Sequence, residues 1–450
     1  MILQLALQGD SPRTSTSVSA ELVPNKPRFC LNIQETMSEI QNTFKYEPFT
    51  QPDSIRLLAL QPSPPGRTIR GSLVHTTLAE CHYDIHFPYT ALSYVWGDPK
   101  RTAKIIIDNQ PFTVTANLAS VLDNLRDEKV AIRVWADAVC MDQSNIPERN
   151  QQVGLMRDVY YFARQTIVYL GEADGPSREV FDVLRKWRPA SEELIVSTAI
   201  HESAAIHILS RPWFFRVWIY QELVLSRGVW VQLGRDRMLW YDFCLALLGP
   251  NGKDGDAERA LESPLSDLVM LSKMREARHS FRKSQLIEAE KPASLFSVLE
   301  ARRGFQVTDL RDMVYGYLAV AGLHPRSKVT SSKSHDSRFL IDYNKTVADV
   351  FTDAASYIVE TGLGPGILSK VELLNENRRM KMLPSWVPDW SQRVGRTTLQ
   401  IPGPPGSPPL DSSYNPFLVI SSVFVCKGQF FSSIKETGEE SSFFVGIWRL

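Results

Sequence analysis

The sequence predicts an α/β protein: a parallel sheet core with helices on both faces, followed by a mainly helical C-terminal region. Short apolar runs of strand length end in polar loops at Tyr89–Asp98, Val130–Val139, Thr166–Leu170 and Val229–Gly234, with helix-length patterns between them. Near-continuous apolar runs are what strands buried on both faces require, and their alternation with helices argues a parallel sheet. Beyond Gly234 the alternation stops and polar or amphipathic helical stretches take over.

Taken in order, residues 1–50 read as a loosely ordered arm, because 9–29 are rich in Ser, Thr and Pro and offer little to a core. Ile55–Leu58 is the first expected strand. Ile105–Ile107 and Pro111–Thr115 flank Asp108-Asn109-Gln110, the pattern of two strands around a tight turn. Asn117 is placed to cap a helix with Leu118, Val121, Leu122 and Leu125 on one face. Val130–Val139 runs into the polar segment Cys140–Asn145, where Asn145 and Glu148 fit a capping box with Pro147 in the first turn. The helix that follows puts Val153, Met156, Tyr160 and Ala163 on one stripe and Gln152, Arg157 and Arg164 off it. A helical insert is expected at about 177–209, and a helix opens at Arg211-Pro212-Trp213 and runs through Leu225. Further on, 249–292 is polar and mostly helical. Val347, Val350, Phe351, Ala354 and Ile358 form an amphipathic stripe, ended by the turn glycines Gly362, Gly364 and Gly366. The proline-rich stretch 392–416 reads as a linker and 417–450 as a short β-rich tail, with a strand pair from Phe417.

Composition narrows the function classes. The 450 residues carry 50 Lys+Arg and 50 Asp+Glu, a formal net charge of zero, and hold no basic block. No broad field draws in nucleic acid or anionic lipid, and no apolar run reaches the roughly 20 residues of a membrane span. The Met1–Ala20 segment lacks the basic start of a secretory signal. The cysteines Cys30, Cys81, Cys140, Cys244 and Cys426 are widely spaced without a C-x-x-C pair, as expected of reduced thiols in the cytoplasm. The chain lacks the phosphate-loop, G-x-G-x-x-G, H-E-x-x-H, G-x-S-x-G and kinase signatures. Cys81, His82 and His86 form a Cys/His cluster without a fourth ligand, so a structural role is expected and no metal.

Several blocks carry more information. They are Tyr89-x-Ala91-Leu92-Ser93-Tyr94-Val95-Trp96-Gly97; Val134-Trp135-Ala136-Asp137-Ala138-Val139-Cys140-Met141-Asp142-Gln143 with Glu148-Arg149 and Gln152-Val153; Val168-Tyr169-Leu170-Gly171; and Arg211-x-Trp213-Phe214-x-Arg216-Val217-Trp218-x-x-Gln221-Glu222-Leu223. In series they resemble the fungal heterokaryon incompatibility (HET) domain family, with Ala136 and Met141 as minor departures. Thr308-Asp309-x-Arg311-Asp312, Asp342-Tyr343 and Pro384-Ser385-Trp386-Val387-Pro388-Asp389-Trp390 are similar to segments that often follow that domain. The resemblance covers about 85–235 strongly and 295–391 more loosely. It implies a HET domain at 51–235 with a TIR/flavodoxin-like α/β core at 85–235, then a mainly helical region at 236–391. It also implies a role in non-self recognition, with protein partners in incompatibility signalling and self-association, and with cell death as the outcome. The family in turn resembles Toll/interleukin-1 receptor (TIR) domains, whose enzymatic members cleave NAD with one glutamate. On that resemblance the matching residue is Glu222, with NAD as a substrate and no bound cofactor.

Physical chemistry admits that assignment. On a helix, Glu222 shares a face with Trp218, Leu225 and Phe215, an apolar wall that would raise its pKa. Expelling neutral nicotinamide from a cation needs no general acid, so one carboxylate holding a ribose hydroxyl and countering oxocarbenium charge suffices. Ligands of open α/β sheets bind beyond the carboxyl ends of the strands, which brings in Ser93 and Trp96, Asp137 and Asp142, and Trp218. Trp96 and Trp218 suit ring stacking and the aspartates suit ribose. Against these roles stand core packing for the tryptophans, loop capping for the aspartates, helix capping for Glu148 and an arginine partner for Glu222. An interaction module that signals by assembly, or an inactive member of the family, fits the same blocks.

Overall fold

Tyr89–Ser93 (β3), Ile132–Trp135 (β6), Gln165–Tyr169 (β7) and Val229–Leu233 (β8) form a parallel block in the order β6-β3-β7-β8. They lie within the four apolar runs of the sequence, although the run expected as a strand over Val130–Val139 is extended only over Ile132–Trp135 and turns helical from Asp137, and β3 is buried along its whole length. The computed structural model describes residues 44–83, 88–186, 207–248, 266–285, 293–323, 337–368, 370–371, 380–392, 417–420 and 423–426. Antiparallel strands extend the block on both sides. Ser54–Leu60 (β1) lies beside β6 and pairs with Arg70–Thr77 (β2). The β2 strand pairs parallel with Thr102–Ile107 (β4), which turns into Gln110–Thr115 (β5). Asp108 and Asn109 both have positive φ, at 50° and 62°, as a two-residue hairpin turn of that hand requires. Asp236–Leu239 (β9) closes the other edge of the nine-stranded sheet against β8. The α/β class holds, with the parallel strands at the centre of a mixed sheet.

The helices follow their apolar faces, with three departures from the sequence reading. Leu78–Tyr83 forms α1. Ala116–Leu125 (α2) buries the four expected residues, but Thr115, not Asn117, is its cap: Thr115 is extended and its hydroxyl accepts from Leu118 N at 3.3 Å. Asn117 lies inside the first turn and its amide donates to the Val95 carbonyl. A short turn, Asp137–Cys140 (α3), precedes Ile146–Phe162 (α4), which Asn145 caps as expected. Glu148 does not close the capping box. Its carboxylate accepts from Asp142 N at 2.7 Å and from Arg56 at 2.6 and 3.0 Å. Arg56 also lies over the Phe49 ring at 4.0 Å, so a buried cation from β1 outcompetes the local backbone. Gln152, off the expected stripe, is fully buried and bonds the Ser54 carbonyl at 2.9 Å. Gly175–Lys186 (α5) begins the helical insert, whose residues 187–206 lie outside the described ones.

The third departure matters most for the site. Residues 212–225 are not one helix: Pro212–Phe215 is a 3₁₀ turn, Arg216 is extended (φ −82°, ψ 149°), and Trp218–Leu225 is a separate helix, α6. The break is made from afar. Gln306 pairs with this segment as a parallel bridge, its amide donating to the Phe215 carbonyl at 2.7 Å and its carbonyl accepting from Val217 N at 3.1 Å. Phe215 therefore does not share a helix face with Glu222.

Trp240–Leu248 (α7), Ser266–Ser284 (α8), Leu295–Ala301 (α9) and Asp312–Leu318 (α10) follow. Val347–Ile358 (α11) is closed at its start by reciprocal Thr346 and Asp349 bonds and leads past Gly362, at φ +88°, into Gly364–Leu368 (α12). Its stripe packs Val350, Phe351, Ala354 and Ile358 into the same core as β3 and α4, so sheet and C-terminal helices share one interior. Phe417–Ile420 (β10) and Val423–Cys426 (β11) pair antiparallel as a separate ribbon. Residues 1–43, 249–265 and the proline-rich stretch 393–416 lie outside the described residues. The end of the arm is packed: Phe44 and Tyr46 meet Phe112, and the Tyr46 hydroxyl donates to the Val139 carbonyl at 3.0 Å.

Candidate functional site

The order β6-β3-β7-β8 reverses chain direction across the sheet at β3 and β7, and a crevice beyond their carboxyl ends is where such sheets bind ligands. Ser93 is the last residue of β3, in register with Val168 of β7. Its hydroxyl donates to Glu222 Oε2 at 2.5 Å and accepts from the Trp213 indole at 2.8 Å. Both Ser93 and Trp213 are fully buried and Glu222 is 5% exposed. Burial pushes the Glu222 carboxyl up to about 7; the nearby Arg216 cation and the Ser93 bond pull it down, while Asp137 pushes it further up. Tyr160 stands beside this group and donates to the Leu92 carbonyl at 2.9 Å.

A second carboxylate lies across Arg216. Asp137 opens α3 and accepts from Tyr94 OH and Trp96 Nε1, each at 2.8 Å, and from Ala138 N at 2.8 Å. Burial raises its pKa against the lowering influence of Arg216. Trp96 is partly exposed and begins the exposed turn at Gly97-Asp98. The Arg216 guanidinium donates to the Tyr94 carbonyl through Nη1. Ser93, Trp96, Asp137 and Glu222 therefore meet in one group. Such an arrangement can hold diols on carboxylates, present a ring to Trp96, and switch the charge of one buried acid near neutral pH.

The other two sequence candidates are committed elsewhere. The Asp142 carboxylate accepts from Ser144 N at 3.0 Å and Ser144 Oγ at 2.6 Å, which is the loop-capping role. The Trp218 indole donates to Asp312 Oδ2 at 2.9 Å, facing α10 and not the strand ends. Asp312 also accepts from the Tyr343 hydroxyl at 2.7 Å, and burial pushes its carboxyl up to about 6. Arg149 covers the Tyr343 ring at 3.6 Å and Asn150 accepts from Tyr343 N at 3.0 Å, so the sequence segments around 311 and 343 dock onto α4 and α6.

Sequence reasoning passed over Tyr94, Tyr160, Trp213 and Arg216 as site members. Arg216 carried the readable signal, a lone cation inside an otherwise apolar stretch from Trp213 to Ile219. Cys81 and His82 lie on α1, with the His82 ring edge-on to Phe162, and His86 falls outside the described residues. Among the described residues no three His, Cys, Asp or Glu side chains gather as a metal cage, and no helix is long and apolar enough to cross a membrane.

Residues 89–222, from the first residue of β3 to Glu222 itself, match the family model described as Heterokaryon incompatibility protein (HET). Among curated proteins the chain is 27% identical to Heterokaryon incompatibility protein 6, OR allele, of Neurospora crassa, over 389 aligned positions covering 69% of this chain and 54% of the relative. The chain thus spans about half the length of that relative. No solved structure matches it. Residues 89–222 thus resemble the HET domain, and the chain is similar along much of its length to a fungal heterokaryon incompatibility protein.

Proposed function

We propose that the chain acts in the cytoplasm in non-self recognition between fused hyphae, and that its HET domain, a TIR-like module, triggers cell death by cleaving NAD at Glu222. The observation that supports this reading is the buried Glu222 carboxylate, hydrogen-bonded to Ser93 at the carboxyl end of β3, beyond which sheets of this order bind ligands. In the proposed step the ribose–nicotinamide C–N bond breaks and its electron pair leaves with neutral nicotinamide. Water adds to the oxocarbenium carbon, and its proton passes to Glu222 and then to solvent, giving ADP-ribose. Ionised Glu222 counters the positive charge that develops on the ribose. Trp96 stacks on the departing ring and Asp137 takes a ribose hydroxyl once its own partners yield.

The near-complete burial of Ser93, Trp213 and Glu222 favours a second reading, in which the domain signals by assembly with itself and with protein partners and the carboxylate serves the fold. Expression of the full chain and of Glu222→Gln in a fungal host, with viability and cellular NAD followed together, separates the two. Cleavage predicts NAD loss and death with the wild type and neither with the variant. Equal toxicity at unchanged NAD in both leaves assembly as the function.

A further inference from the structure

Arg216 is the unmatched charge of the site. Among the described residues its side chain makes one hydrogen bond, from Nη1 to the Tyr94 carbonyl, although a guanidinium carries five N–H donors. Glu222 and Asp137 both feel its field, yet among the described residues no carboxylate closes an ion pair with it. It is partly exposed, unlike the fully buried Arg56, whose guanidinium is paired with Glu148.

Its position is fixed by residues outside the HET domain. Gln306 brackets it through the Phe215 carbonyl and the Val217 amide, and Arg302 Nη2 donates to the Arg216 carbonyl at 3.1 Å. Trp218 is pinned to Asp312 immediately after it. An extended residue held on both sides, in place of a helical turn, directs this cation toward the end of β3 where Tyr94 lies.

We propose that Arg216 binds the phosphate of a nucleotide substrate, so that the site is a two-ended cradle: carboxylates for the cationic, ribose-bearing end and one arginine for the anionic end. A guanidinium with unused donors matches phosphate oxygens in a fork, and a dinucleotide carrying a ring cation and a pyrophosphate has both complements. The inference rests on the nucleotide reading above and assigns its anion contact to a residue of this chain.

The test uses the full chain in calorimetric titrations with ADP-ribose, which carries the pyrophosphate but no scissile bond, and with adenosine, which carries no phosphate. Arg216→Gln is expected to weaken ADP-ribose binding roughly tenfold or more while leaving adenosine binding unchanged. Arg216→Lys, which keeps the charge without the fork, is expected to fall between wild type and Arg216→Gln and to establish that substitution here leaves the chain folded. If the wild type consumes NAD, Arg216→Gln is further expected to raise KM more than it lowers kcat. Equal ADP-ribose affinity in wild type and Arg216→Gln overturns the proposal, as does no binding by the wild type. Failure of NAD cleavage with ADP-ribose binding that depends on Arg216 would refute the catalytic reading and leave this inference standing.

Discussion

Replacing Glu222 with Gln keeps the side chain's shape and removes its charge. Burial lifts this carboxyl from its ordinary 4.5 to about 7, which corresponds to about 3 kcal/mol against the ionised form in the folded chain. Because the folded pKa lies above the unfolded one, the folded chain holds more protons between these values. The cost of ionisation is absent below about 4.5, grows as pH rises, and is fully present above about 7. Wild-type stability therefore falls by about 2–3 kcal/mol between about pH 5 and pH 8 through this group alone, and Glu222→Gln lacks that fall. Gln can still accept the Ser93 hydroxyl, so the variant should be close to wild type at about pH 5 and more stable at about pH 8. Urea unfolding of the full chain at several pH values measures the difference. Parallel profiles for the two proteins would refute the placement of an ionisable carboxyl in this buried position.

Three further substitutions probe the surroundings. Ser93→Ala removes a bond that holds the Glu222 carboxyl down, so the midpoint of the same pH profile should move upward, with a loss of about 1 kcal/mol at high pH where the carboxylate is charged. Arg56→Met leaves Glu148 buried without its cation and should cost about 3–5 kcal/mol by denaturant unfolding at neutral pH. Gly316→Ala places a Cβ 2.7 Å from Val217 Cγ1, where α10 meets the start of α6, and should destabilise by about 1–3 kcal/mol. The Gly316→Ala change should also raise hydrogen exchange in α6, which carries Glu222.

The parallel core was legible because its strands are continuous apolar runs, and the β4–β5 turn because Asp108-Asn109 suits positive φ at two successive residues. Features set by distant partners were not. Glu148 reads as a helix cap until Arg56, 92 residues earlier, is brought beside it. The helix expected from Trp213 to Leu225 is split because Gln306 recruits the backbone around Arg216 into a bridge. Periodicity contains no trace of such a contact. Thr115 and Asn117 are both capping residues by type, and only the extended backbone at Thr115 decides between them. The same holds at the site. Strand-end logic gathers Ser93, Trp96, Asp137 and Glu222, whereas Asp142 is taken by its own turn and Trp218 by Asp312, a residue 94 positions away.

Nicotinamide release from NAD by the purified full chain, wild type against Glu222→Gln at about pH 8, asks whether this carboxylate does chemistry. If ionised Glu222 stabilises the ribose cation, the wild type liberates nicotinamide and ADP-ribose in equal amounts, and the variant is slower by about two orders of magnitude or more. Equal rates in the two proteins, or no nicotinamide from either, would contradict it.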